Sequence, residues 1–450
     1  MSIRSRLVDA GDAFRTRLWP VPTLGVFVAL VAGVLLPELD AAIDGDLSDT
    51  VSAYLFGGGA SAARSVLDAI ASSLITVTSL TFSLTVVTLQ LASGQFSPRL
   101  LRTFTRDRFV HVTLAMFLAT FVYALTVLRT VRTSAEQQVQ FVPQVSVTVA
   151  FVLAVASVVT LVLFLAHLAR EIRVETMVRS VHRDASASVA RLLEKPDDSE
   201  RASPDEARPA EDTRLIIAPR SGFLTAVDMA GLSRAAAEAD AVVSIDQLPG
   251  GFVASGTPLG RCWSRPGSGN ASVGDELFES IPTFLTIGIE RTDTQDFAFG
   301  LRQLTDVTAK ALSPGINDPT TAIHALGHTS ALLCEIAKYD LRSAVHRDDD
   351  GQVRVIRRRP AFDALLDEAV TQPRRYGAAD PAVLGRLMGL LREVAWSARD
   401  HSQRQAVVHQ LERLRNTIER SDFDLAERDQ LDRAGRKVEA ALTGDWPPES

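Results

Sequence analysis

The sequence predicts a polytopic α-helical membrane protein with four transmembrane helices and a cytoplasmic α+β region, in which a small β module precedes a mainly helical domain. Three observations carry that prediction. Apolar runs long enough to cross a hydrocarbon core of roughly 30 Å are confined to residues 1–185, short β-like runs cluster between Arg214 and Trp263, and from Val273 onward the apolar residues recur at helical spacing. The formal charge of the 450 residues is −7, which argues against a general nucleic-acid binder. Cys262 and Cys334 are the only cysteines, so there is no disulfide framework and no thiol metal cluster.

Four spans are read at 19–36, 69–92, 110–128 and 142–168. Arg4, Arg6, Arg15 and Arg17 precede the first, which ends at Pro37, Glu38 and Asp40 without a small-residue cleavage site and is read as a retained helix. Glu38, Asp40, Asp44, Asp46 and Asp49 follow span one, with Arg64 the only base of that loop. By contrast, Arg99, Arg102, Arg106 and Arg108 follow span two, and Arg170, Arg173, Arg179 and Arg183 follow span four. Basic residues stay on the cytoplasmic side, which predicts both termini inside. Arg129 and Arg132 after span three are the exception. Gly57, Gly58 and Gly59 read as a flexible connection into span two.

Span two is rich in hydroxyls. Thr78, Thr81, Thr85 and Thr88 fall on one helical stripe, and Ser72, Thr76, Ser79, Ser83 and Gln90 fall on another, roughly opposite. One reading lines an ion path with Thr78, Thr81, Thr85 and Thr88 and shapes its cytoplasmic mouth with Gln95 and Arg99. The other uses both stripes for packing, because Ser and Thr let helices approach closely. Likewise Arg99, Arg102 and Arg106 form either a basic ring at a pore mouth or a topology signal that touches anionic headgroups.

Residues 171–194 continue with helical periodicity and are expected to extend the last span as a stalk, followed by a charged, Pro-containing linker at 195–212. The β module is read at 213–265. Within it, Leu248 to Leu259 resembles the half-barrel turn of biotinyl or lipoyl carrier domains, but no lysine stands between Arg214 and Trp263, which excludes a swinging arm. Helices are expected at about 274–289, 294–312, 319–339, 361–374, 381–399, 402–420 and 424–442 in a domain spanning 273–450, with a strand or hairpin arm at Gln352 to Arg358.

The stretch ALSPGINDPTTAIHALGHTSALL, Ala311 to Leu333, holds the strongest local signals of the soluble half. Pro314 and Gly315 end one helix, Asp318 caps the next, and Pro319 occupies a position whose N–H would have no helical partner. His324 and His328 lie one turn apart on that helix, so they form either a pair satisfied within a helix interface or, with Asp318, a metal or proton-responsive site. Ala325 stands where a zinc protease would need its general base. His111 and His167 lie near the membrane interface and no ionisable group sits at mid-depth, which disfavours a proton-coupled pump. No phosphate loop, nucleophile elbow or paired-cysteine motif is present, so no enzyme core is recognised and no cofactor is indicated.

The segments SLTFSLTVVTLQLASGQFSPRLLRTFTRDR, FLATFVYALTVLRTVR, FVPQVSVTVAFVLAVASV and FGLRQLTDVTAKALSPGINDPTTA together resemble a bacterial family of predicted integral membrane proteins, domain of unknown function 2254. The resemblance implies a polytopic inner-membrane protein with a cytoplasmic domain and carries no catalytic residue. Two functions remain open. One is a homo-oligomeric channel or transporter for a small ion, since four spans without mid-membrane charge need several subunits to enclose a path. The other is a bilayer-anchored cytoplasmic domain that senses a ligand or scaffolds a partner.

Overall fold

A computed structural model describes residues 19–43, 55–95, 107–132, 141–171, 173–193, 213–265, 274–446 and 448. The chain divides into two units, Ser2–Arg173 and Val174–Ser450. The expected linker at 195–212 and Arg99, Arg102 and Arg106 lie outside the described residues.

The first unit contains α1 (Pro20–Ile43), α2 (Ala60–Gln95), α3 (Arg108–Thr130) and α4 (Gln144–Glu171), each long and apolar enough to cross a membrane. The first continues beyond Pro37, where the span was expected to end. Proline is tolerated inside a membrane helix because neighbouring groups satisfy the carbonyl it frees. α2 begins at Ala60, earlier than the apolar run alone indicates. α3 packs against the other three helices and is the most buried of the four. Small residues set its contact with α1: Gly25, Ala29 and Gly33 recur every four residues, and a Cβ on Gly33 would lie 2.8 Å from the Thr126 Cβ.

Polar groups close this unit at its ends. Asp40, buried near the end of α1, accepts hydrogen bonds from Val145 N (3.0 Å), Ser146 N (2.8 Å) and Ser146 Oγ (2.7 Å), so an acid from one span caps another about a hundred residues away. Arg64 donates to the Val131 carbonyl (2.9 Å), and Asp107, the N-cap of α3, holds His167 of α4 at 2.6 Å.

The second unit opens with α5 (Val174–Leu192). The residues expected as a stalk form a separate helix after a break at Arg173, and Met177, Val178, Val181, Ala185 and Val189 are buried within this unit. Then come β1 (Arg214–Ile217), β2 (Gly222–Val227), α6 (Met229–Glu238), β3 (Ala241–Ile245), β4 (Phe252–Val253) and β5 (Pro258–Ser264). The helix α6, capped by Asp228, stands inside a stretch that the sequence reads as strands. Next are α7 (Asp275–Ser280), a 3-10 turn at Ile281–Phe284, and β6 (Leu285–Gly288), where a continuous helix was expected at 274–289. Thr286 and Ile287 are β-branched and pair with β2, so tertiary pairing overrides the weak helical pattern.

The remaining elements are α8 (Phe299–Ala311), α9 (Pro319–Ile336), β7 (Ala344–Arg347), β8 (Val353–Arg357), α10 (Phe362–Tyr376), α11 (Pro381–Ser397), α12 (His401–Arg420) and α13 (Leu425–Leu442). Asp318, Asp380, Asp400 and Asp424 each cap the helix that follows, Asp424 in a capping box with Glu427.

Two sheets result, with strand orders β1-β5-β3-β8-β7 and β4-β2-β6. The strands of the β module therefore do not close on themselves: β6 completes one sheet, and β7 and β8, about eighty residues beyond β5, complete the other. All five residues of β3 are buried, as befits a strand with neighbours on both sides. It runs antiparallel to β5 and parallel to β8. At its start Asp240, with φ +46°, pairs with Arg265 (2.7 Å) and with buried Arg354 of β8 (2.8 Å), which Asp348 also holds (2.6 Å). The hydrogen bonds from Arg265 and Arg354 pull the Asp240 carboxyl down to about 2.

Candidate functional site

The outward faces of the membrane helices differ in chemistry. On α1 the exposed residues from Leu24 to Leu35 are all apolar, and so are those on α4 from Phe151 to Leu165. Such faces suit lipid. On α2 the exposed residues are mixed: Ser65, Asp68, Ser72, Thr76, Ser79, Ser83 and Gln90 are polar, while Ile75, Leu80, Phe82, Val86 and Val87 are apolar.

The spacing of the polar residues is regular. Ser65, Ser72, Ser79 and then Val86 repeat every seven residues, and Ala69, Thr76, Ser83 and Gln90 repeat every seven on the adjacent row, so together they hold the two seam positions of a heptad, polar or small at every position but Val86. From Ser65 to Gln90 the seam rises about 37 Å at 1.5 Å per residue, more than the hydrocarbon thickness. Ser72 and Thr76 return their hydroxyls to carbonyls four residues earlier, Asp68 O at 2.8 Å and Ser72 O at 3.1 Å. The backbone thereby absorbs part of the cost of exposing them, while their oxygens still face outward.

The threonine stripe expected to line a path lies inward. Thr78, Thr81 and Thr88 are buried within the single chain and Thr85 is half-buried. Thr78 donates to Leu74 O (2.6 Å), Thr85 to Thr81 O (2.8 Å) and Thr88 to Leu84 O (2.8 Å), whereas the buried Thr81 hydroxyl has no hydrogen-bond partner among the described residues. These threonines share the face of α2 on which Leu67, Ala71 and Leu74 pack into the helical core, and that continuity turns the stripe toward protein. Gln95 ends α2, and its side chain, like Arg99, lies outside the described residues. The outward stripe was legible as a row of Ser and Thr; the heptad register with Ser65 and Ala69 was the missed signal.

In the second unit α9 presents His324 exposed and His328 half-buried, with ring centroids 5.2 Å apart. A third imidazole joins them that spacing along one helix could not reveal: His182 of α5 has its ring centroid 5.0 Å from that of His328, and its buried Nδ1 has no hydrogen-bond partner among the described residues. Burial, then the charges of His182, His324 and Arg179, push the His328 pKa down. Asp318 does not join this cluster; hydrogen bonds from the Thr321 side chain and from Thr321 N (3.0 Å) hold its carboxyl below the usual range. Asn317, at φ +48°, makes the left-handed turn that brings Asp318 N onto Ala311 O (2.8 Å). Among the described residues, no three His, Cys, Asp or Glu side chains are grouped to hold a metal ion.

His111 is buried in α3, and His167 is engaged by Asp107 with Phe109 tilted against its ring at 4.8 Å. His167 thus fastens α4 to the cap of α3.

The family model described as predicted membrane protein, domain of unknown function 2254, matches residues 15–393. The uncharacterized protein Rv1290c of Mycobacterium tuberculosis is 36% identical over 417 residues, which cover 93% of this chain and 79% of that protein. The uncharacterized protein Mb1321c of Mycobacterium bovis matches with the same identity and coverage. No solved structure matches the chain.

Proposed function

This chain belongs to the predicted membrane protein family of domain of unknown function 2254, and from that premise we propose that it forms a homo-oligomeric channel or transporter for a small ion. The single observation that carries the reading is the polar heptad seam on the outward face of α2. Hydroxyls and a carboxamide along a membrane helix are poorly matched to acyl chains, whereas the exposed residues of α1 from Leu24 to Leu35 and of α4 from Phe151 to Leu165 are all apolar. A second copy of α2 resolves the mismatch. Small residues at both seam positions from Ser65 to Ser83 let several copies of the helix approach around an axis, with Ser72, Thr76, Ser79 and Ser83 turned to a hydrated centre. The threonine stripe then serves packing inside each subunit.

The distribution of arginine supports an orientation in the bacterial inner membrane with both termini and the second unit in the cytoplasm. In that orientation Gln95 and Arg99 shape the cytoplasmic mouth.

The test is ion flux in liposomes, paired with the mass of the purified protein in nanodiscs. The expected result is a closed oligomer that passes a selective ion, with flux abolished in the Ser79→Leu, Ser83→Leu double variant and retained in Thr81→Val, Thr85→Val. A monomer, or an oligomer that passes nothing at any pH or voltage, refutes the reading. Flux lost only in the threonine variant would return the path to that stripe.

A further inference from the structure

The carboxyl ends of β3 and β8 lie side by side. Ile245 stands opposite Arg357 in this parallel pair, and Arg358 N donates to Ile245 O at 3.3 Å. Beyond that point the chain leaves in two directions. After β3 the segment from Asp246 to Gly251 leads to β4 in the other sheet; after β8 the segment from Arg358 to Pro360 leads into α10. Diverging connections at the carboxyl ends of neighbouring parallel strands open a crevice, and ligands of α/β sheets bind in such crevices. Here both segments line a cleft of about 400 Å³, within the size range of small-molecule sites.

Positive charge is in excess in this cleft. Among the described residues its walls carry Arg291, Arg357, Arg358 and Arg359 against Asp246, Asp296 and Glu368, with Arg359 also donating to the Asp340 carbonyl at 2.8 Å. Two of those acids are shared with arginines outside it: Asp246 lies 3.2 Å from Arg261 as well as 3.5 Å from Arg358, and Glu368 lies 3.5 Å from Arg302. The third, Asp296, is held by Arg291 at 2.6 Å.

One wall is built by a glycine. Gly250 has φ +85°, and a Cβ there would fall 1.9 Å from Asp296 Oδ2 and 2.7 Å from Arg291 Nε. Only glycine lets the turn after β3 close onto that ion pair. Leu248, Phe297 and Leu365 give the cleft an apolar side.

We propose that this cleft binds a small organic phosphate, with the Arg357–Arg359 run holding the phosphate group and the apolar side holding the body of the molecule. Guanidinium forks match phosphate oxygens, and an apolar wall beside them selects an organic ester over the inorganic ion. The site stands independently of ion conduction, since it lies wholly within the second unit.

Thermal unfolding of the full chain in nanodiscs tests it, with pyrophosphate, AMP and ATP as soluble probes, sulfate as control, and discs with or without phosphatidylglycerol as the lipid source of phosphate. A nucleotide is expected to raise the Tm in a saturable way below about 10 mM, as binding to the folded state alone requires. Arg358→Glu, at an exposed position whose carboxylate neighbour Asp246 is shared with Arg261, should lower the ligand-free Tm by only a few degrees and need at least about tenfold more nucleotide for the same shift. Arg433→Glu, on the exposed face of α13, should respond like the unaltered chain. A shift seen only with phosphatidylglycerol and lost in Arg358→Glu upholds the phosphate site and assigns its source to lipid. The proposal fails if no probe shifts the Tm, if Arg358→Glu leaves the response unchanged, or if Arg433→Glu weakens it equally.

Discussion

Replacing Asp40 by Ala removes the acceptor for three donors at once: Val145 N, Ser146 N and Ser146 Oγ, all within 3.0 Å of the carboxylate. Two of these are backbone groups in the first turn of α4, where no intrahelical acceptor exists. Loss of a cap costs about 1 kcal/mol, reaching about 2 in buried settings. Removing a negative charge from a partly buried helix N-terminus costs up to about 2 kcal/mol. A donor left unsatisfied away from water costs about 1–3 kcal/mol. These contributions overlap, so the expected loss for Asp40→Ala is about 3 kcal/mol, a change of more than a hundredfold in the unfolding equilibrium at about 1.4 kcal/mol per tenfold. Asp40→Asn keeps one acceptor oxygen but turns an amide toward the other donors and should lose about 2 kcal/mol. The assay is SDS titration of the purified protein in mixed micelles, followed by helical circular dichroism, with the membrane unit's transition fitted separately. A loss below about 1 kcal/mol for Asp40→Ala, or an Asn variant worse than the Ala variant, would refute the capping argument.

Gly33→Ala should destabilise the membrane unit by about 1–3 kcal/mol, because its Cβ would meet the Thr126 Cβ at 2.8 Å and force α1 away from α3. Gly25→Ala, where the nearest atom of Ala115 is 3.3 Å away, should cost less in the same titration; equal effects would contradict the close approach at Gly33. The lowered pKa of His328 gives a pH dependence of definite sign. Above the unfolded value of about 6.5 the imidazole is neutral in both states and contributes nothing. As pH falls below that value the unfolded chain takes up the proton first, so stability declines until pH passes the folded pKa. The Tm of the second unit should therefore fall between pH 7 and 5, and His328→Gln should flatten that slope. An unchanged slope in the variant would place the titration elsewhere.

The features readable from sequence are those whose cause lies within one or two turns of chain. Four apolar runs announce four helices because a membrane helix satisfies its own backbone and needs only length and apolarity. Asp318 before Pro319 announces a helix start because a cap and its N–H groups are three residues apart. Both hydroxyl stripes of α2 were visible for the same reason. Sequence alone could not decide which stripe faces out, since either side of a mixed helix can serve as the packed one. Tertiary structure decides it by placing Leu67, Ala71 and Leu74 in the core of the membrane unit, so the threonines turn inward with them. The remaining features join distant residues. His182 meets His328 across two helices, Asp40 caps a helix that starts beyond Pro143, and β8 pairs with β3 although more than a hundred residues separate them. Each depends on through-space packing, which local periodicity does not encode. The arginine-lined cleft exists only because that last pairing brings two strand ends together.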